Sequence, residues 1–174
     1  MKRVVVVLLL LGAIGGSAFA YGAGGFFSGE YLPADGYTNI GRQFETHGGF
    51  GYGAGRDGIR HGGFGLVITG DEFGDVAGAF GGLFTGAQYA TGPFTLSINL
   101  WTGAGYINPE MFPIQDYVGY IAEGTLEAGF APLPWFQMSA YVGMQALGSF
   151  DAAALFSDIC YTPVVGTRLS WGSF

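Results

Sequence analysis

Seven stretches without regular hydrophobic patterning interrupt the chain after residue 31, and long and short ones alternate. Leu32 to Glu45 is long, Gly55 to Gly58 short, Gly70 to Asp75 of medium length and Thr91 to Pro93 short. Ile107 to Asp116 is long, Pro132 to Pro134 short and Gly148 to Ile159 long. The short stretches read Gly-Arg-Asp-Gly, Thr-Gly-Pro and Pro-Leu-Pro, which is turn chemistry. Eight segments lie around these connections. An even number of antiparallel strands, with short turns at one end and longer loops at the other, is the pattern of a closed transmembrane barrel. A soluble sandwich has no reason to sort its connections in this way.

The segments themselves alternate with period two. Phe94, Leu96, Ile98, Leu100, Ala104 and Tyr106 share one face, with Thr95, Ser97, Asn99, Trp101 and Gly103 on the other. Val118, Tyr120, Ala122, Leu126 and Ala128 oppose Glu123, Thr125 and Glu127. Phe136, Met138, Ala140, Val142 and Met144 oppose Gln137, Ser139, Tyr141 and Gln145. Val165, Thr167, Leu169 and Trp171 oppose Gly166, Arg168 and Ser170. The earlier segments, Tyr21 to Tyr31, Thr46 to Ala54, Arg60 to Ile68 and Val76 to Ala90, are less regular. The expected fold class is all-β: an eight-stranded antiparallel up-and-down transmembrane β-barrel over residues 21–174.

Residues 1–20 read as a signal peptide, expected to be helical, that precedes this barrel. Lys2 and Arg3 are followed by the aliphatic run Val4 to Leu11, and Ser17-Ala18-Phe19-Ala20 supplies the small residues of a cleavage site. The run is shorter than the roughly 20 residues that span a bilayer as a helix. The part beyond it keeps four arginines, Arg42, Arg56, Arg60 and Arg168, against all 13 acids of the chain. Such a balance argues against nucleic acid as a partner, since phosphates need a basic footprint. Charged residues make up only 11% of the chain, aromatics 17%, and 34 residues are glycine. A typical soluble domain carries about 25% charge. A chain this apolar, with no long apolar run beyond the leader, has one main membrane solution, which is a closed barrel. The single cysteine, Cys160, precludes an internal disulfide. It reads as a small, half-buried apolar residue.

Aromatics cluster at the segment ends, as membrane girdles do. Tyr52, Tyr89, Phe94, Phe130, Phe136 and Trp171 lie beside short turns, and Tyr31, Tyr106, Tyr117 and Tyr161 beside long loops. The last segment, Val164 to Phe174, ends the chain on phenylalanine. In this it resembles the small outer-membrane barrels of the OmpA/OmpX type. The resemblance implies a terminal strand read by the barrel-assembly machinery through Phe174. It also implies outer-membrane lipid as surroundings and a bacterial outer-membrane location after export. Phe174 falls on the opposite parity from Trp171, Leu169, Thr167 and Val165.

Both histidines lie in a repeated pentapeptide, His47-Gly48-Gly49-Phe50-Gly51 and His61-Gly62-Gly63-Phe64-Gly65. Hairpin geometry pairs Phe50 with Phe64 and sets the histidines near opposite ends, too far apart for one metal ion. The phenylalanines are expected to face outward and the glycines inward. Bulky inward groups on the opposite wall, Tyr117, Ile121, Glu123, Glu127, Trp135, Gln137, Tyr141 and Gln145, would then fill the lumen. Arg168 is the only basic side chain that the pattern places clearly inside. It requires a partner there, and Glu127 lies at similar depth, with Glu123 as a second partner or neighbour. Asp71, Glu72 and Asp75 cluster in one loop but lack the spacing of a calcium-binding loop.

No catalytic constellation, cofactor site or metal site stands out. The expected role is that of a non-enzymatic outer-membrane barrel, structural or surface-interactive, with a largely plugged lumen and an extracellular partner that the sequence does not identify. Two alternatives remain. One is a lipid-modifying enzyme, which needs a Ser/His pair on the outer rim near His47. The other is a soluble exported barrel that binds a small apolar ligand.

Overall fold

The computed structural model describes residues 22–32, 44–55, 57–70, 76–108, 117–150 and 159–173. Eight strands run in chain order: β1 (Gly22–Tyr31), β2 (Phe44–Ala54), β3 (Ile59–Gly70), β4 (Val76–Thr91), β5 (Phe94–Ile107), β6 (Val118–Leu133), β7 (Phe136–Ser149) and β8 (Cys160–Gly172). Each pairs antiparallel with its neighbours in sequence, and β8 pairs with β1 to close the ring. The turn between β2 and β3 relies on Gly58, and that between β4 and β5 on Gly92, both at positive φ. The expected signal peptide, the loop acids Asp71, Glu72 and Asp75, and Phe174 lie outside the described residues.

Closure has a fixed stagger. From Gly22 the register passes through Gly53, His61, Thr85, Leu100, Gly124, Met144 and Pro163. It returns to β1 at Leu32, ten residues further on, where Leu32 N donates to Pro163 O. A stagger of that size over eight strands tilts them by about 40° and leaves an interior that side chains just fill.

The two faces follow the predicted parity on β5–β8. Leu96, Ile98, Leu100, Leu126, Met138, Val142, Met144 and Leu169 are exposed on the outer wall. Thr95, Ser97, Asn99, Glu123, Thr125, Glu127, Gln137, Ser139, Gln145, Arg168 and Ser170 are buried in the lumen.

On β2 and β3 the structure reverses the expectation. Phe50 and Phe64 point inward and are buried, while His47 and His61 are exposed on the outer wall. With the histidines, Gly49, Gly51, Gly63 and Gly65 take the outward parity. The physical reason is volume. Phe27, Phe50, Phe64, Phe84 and Trp101 are buried together, with Trp101 within 4.6–5.8 Å of the other four ring centroids. Glycines on that parity would leave this half of a closed ring unfilled. The lumen is therefore packed by aromatic rings from β1–β5 against polar side chains from β5–β8. It is not a glycine wall opposite a bulky one.

Inward glycines occur where those rings lie on the wall. A Cβ on Gly48 would enter the Phe27 ring, and one on Gly29 or Gly166 would meet the Tyr141 ring or its hydroxyl.

Other placements change as well. Tyr31 and Tyr52 are buried inside and belong to neither girdle. Trp135, expected in the lumen, is 55% exposed at the β6–β7 turn, and Tyr117 is exposed before β6. Both sit at strand ends, where the alternation that assigned them no longer binds the side chain to a face. The aromatics that remain outside form two groups. Tyr89, Phe94, Phe130, Trp135 and Trp171 lie at the short-turn end, and Tyr106, Tyr117 and Tyr161 at the other.

Candidate functional site

Two polar constellations stand out, one inside the barrel and one on its outer wall. The first is centred on the inward rows of β3 and β5–β8, with partners from β1, β2 and β4. Arg168 Nη1 donates to Glu127 Oε2 at 2.5 Å, and both side chains are buried. Ser139 Oγ donates to Glu127 Oε1 at 2.5 Å, and Asn99 Nδ2 donates to Glu127 Oε2 at 2.9 Å. The guanidinium of Arg168 lies over the rings of Tyr141 and Trp101, 4.1 and 4.6 Å from their centroids. The structure thus brings together Arg168, Glu127 and Tyr141 from the predicted set.

Glu123 is a neighbour of this pair, not a member. Its Oε2 accepts from Gln145 Nε2 at 2.8 Å, and Gln145 Oε1 accepts from the Tyr31 hydroxyl at 2.6 Å. Gln137 is also buried and donates to Thr95 Oγ1 at 2.7 Å.

The parity reading missed a second lumen cation. Arg60 is buried on β3, against the expectation that Arg168 stands alone. Its Nη1 donates to Gln88 Oε1 at 2.8 Å and its Nη2 to Asn99 Oδ1 at 2.6 Å. Its guanidinium lies 4.9 Å from the Tyr52 ring centroid. Asn99 therefore joins the two halves. Its carbonyl faces Arg60 and its amide faces Glu127, so one side chain links both arginines through the same carboxylate. Arg60 and Arg168 balance Glu123 and Glu127, and these four are the fully buried charged side chains among the described residues. Formal neutrality is what a low-dielectric interior requires of buried ions.

The second constellation faces outward near the long-connection ends of β1 and β2. Ser28 pairs in register with His47. Ser28 Oγ lies 3.1 Å from His47 Nδ1, and Glu45 Oε2 lies 3.1 Å from His47 Nε2. For a neutral imidazole, only the tautomer protonated on Nε2 satisfies both contacts. Ser28 then donates to Nδ1, and Nε2–H donates to the carboxylate. His61, at the other end of the wall, lies 3.0 Å from Thr85 Oγ1. No sequence signal could have joined Ser28 to His47. They are 19 positions apart, and only the β1–β2 register makes them neighbours. Among the described residues, no three His, Cys, Asp or Glu side chains gather as a metal-binding set.

The outer wall also carries a shallow apolar depression of about 680 Å³ across β4–β7, with Ile59 of β3 at its edge. Ile98, Leu100, Leu126 and Val142 surround Gly124, where a side chain would meet open space.

Searches against protein-family models, curated proteins and solved structures found no match to this chain.

Proposed function

We propose that the protein is an outer-membrane β-barrel whose lumen is closed and whose work is done at its outer wall and loop ends. The observation that carries this reading is the inverted distribution of polarity. Every buried charged side chain among the described residues lies in the lumen, and the large exposed side chains of β5–β8 are aliphatic and aromatic. Water would favour the opposite arrangement, whereas a hydrocarbon surround favours this one. That asymmetry also counts against a soluble barrel around a small apolar ligand.

Three further features support it. The strands run 10–16 residues, and about 9–11 tilted residues cross a bilayer. Outward aromatics lie at both ends of the wall, where they suit the two membrane interfaces. Closure leaves no free sheet edge, as a spanning sheet requires. On this reading the leader over residues 1–20 directs export, the C-terminal segment that includes β8 and Phe174 addresses the assembly machinery, and lipid is the surrounding partner.

The lumen is packed with rings on one side and a hydrogen-bonded, charge-balanced set on the other, so the barrel does not conduct. The test is twofold. The folded protein should partition with outer membranes and change gel mobility on boiling, and it should give no conductance steps in a planar bilayer. A detergent-free aqueous monomer would sink the membrane assignment. Regular conductance steps would sink the closed lumen.

A further inference from the structure

We propose that Ser28, His47 and Glu45 form a serine hydrolase site on the outer wall that cleaves acyl esters of membrane lipid. The inference rests on the membrane reading for its substrate, but the chemistry rests on geometry alone. A serine nucleophile needs a base within hydrogen-bond reach and a third group that orients the base. Ser28 Oγ is 3.1 Å from one imidazole nitrogen of His47, and Glu45 is 3.1 Å from the other. The ring has the reverse of the usual assignment, with Nδ1 toward the serine. The relay is chemically equivalent, because either nitrogen can take a proton while the other holds one against a carboxylate.

The residues around this trio suit a lipid chain. Gly49, Gly51, Gly63, Gly65 and Gly81 run beside and below it on the outer faces of β2, β3 and β4. At Gly63, Gly65 and Gly81 the barrel's own packing does not demand glycine. A Cβ would meet nothing closer than 3.4 Å at Gly63, 3.9 Å at Gly65 and 3.6 Å at Gly81. This contrasts with the inward Gly48, where the Phe27 ring leaves no room. The bare strip is flanked by Phe26 and Leu83, both exposed. It forms a smooth track that an extended acyl chain can follow away from Ser28. Thr167 pairs in register with Ser28 on the β8 side, so a second hydroxyl-bearing residue neighbours the nucleophile.

The reaction balances within these groups and water. Ser28 Oγ attacks the ester carbonyl carbon as its proton passes to His47 Nδ1, and Glu45 stabilises the imidazolium through Nε2–H. The bond from that carbon to the alcohol oxygen then breaks, and the leaving alcohol takes the proton from Nδ1. Water attacks the acyl-serine, gives a proton to Nδ1, and releases the fatty acid as Ser28 recovers its hydrogen.

Long-chain acyl esters occur both in glycerophospholipid and in lipopolysaccharide, so the test uses both. The full-length barrel, purified in detergent and verified by its mobility shift on boiling, is treated with a fluorophosphonate probe. It is then assayed for fatty-acid release from phosphatidylethanolamine vesicles and from lipopolysaccharide micelles. The expected result is one probe adduct on Ser28 and release from one of the two lipids, which identifies the source. S28A should remove the adduct, and S28A or H47A should lower release about a thousandfold. E45A should lower it about a hundredfold and E45D recover most of the loss, the mark of a positioning carboxylate. H61A should change nothing. G65W should reduce release of long-chain fatty acid while probe labelling continues. A folded barrel with no adduct and no release from either lipid overturns the proposal, as does activity that persists in S28A. A chain that stays aqueous yet is labelled at Ser28 removes the membrane reading and supports the serine site.

Discussion

Arg168 and Glu127 meet across the lumen at 2.5 Å, with only 2% and 5% of their side-chain surfaces exposed. The pair spans β8 and β6, which touch only through the interior, so it ties together strands that share no backbone ladder. Removing one partner leaves the other charge buried, a change that typically costs about 3–5 kcal/mol. Arg168→Ala should therefore lower the temperature at which the folded gel band is lost. Arg168→Met combined with Glu127→Gln should recover part of that loss, because no lone ion is left behind. An unchanged midpoint in Arg168→Ala would remove the pair as a structural element.

Asn99 is the link between the two arginines. Asn99→Leu keeps the approximate volume but withdraws an acceptor from Arg60 and a donor from Glu127. A buried group left without its partner costs about 1–3 kcal/mol. The expected loss is smaller than for Arg168→Ala, and it should be less than additive with Arg168→Ala, since both act on Glu127. Thermal denaturation of the two single variants and the double variant measures this.

Trp101 touches four other rings inside the barrel, whereas Trp135 is exposed at a turn. Trp101→Ala should destabilise the fold by about 3–5 kcal/mol through the cavity it leaves. Trp135→Ala should leave the denaturation midpoint in detergent nearly unchanged. The opposite ranking would mean that the inward and outward faces have been exchanged.

The glycines provide a second test of the same parity. Gly48→Val would drive its side chain into Phe27, and the wall cannot yield without displacing the ring cluster. For Gly65→Val, on the outer face of the adjoining strand, an added Cβ meets nothing closer than the Phe80 carbonyl oxygen at 3.9 Å. The first variant should fold poorly or lose its heat-shifted band at much lower temperature, and the second should fold normally. Band-shift denaturation of the pair reads this directly.

Several of these features were legible before the fold was known. The alternating lengths of the connections, with period-two segments between them, are enough to specify eight antiparallel strands. On β5–β8 the chemistry of the two faces differs so sharply that parity alone sets them. Ile98 against Asn99, Leu126 against Glu127 and Leu169 against Arg168 each leave one sensible orientation. That is why Arg168 and Glu127 could be matched from depth along their strands.

Tertiary structure decided the other half of the ring. On β2 and β3 one face is phenylalanine and the other glycine and histidine, and neither composition is excluded from a lumen or from lipid. Local pattern cannot choose between them, because the deciding quantity is the volume left by the six other strands. Closure placed Phe50 and Phe64 inside with Trp101, carried Arg60 inward on the same parity, and turned His47 outward. The contact between Ser28 and His47 has the same origin. Cross-strand neighbours depend on register, and register in a closed barrel depends on a stagger that all eight strands set together.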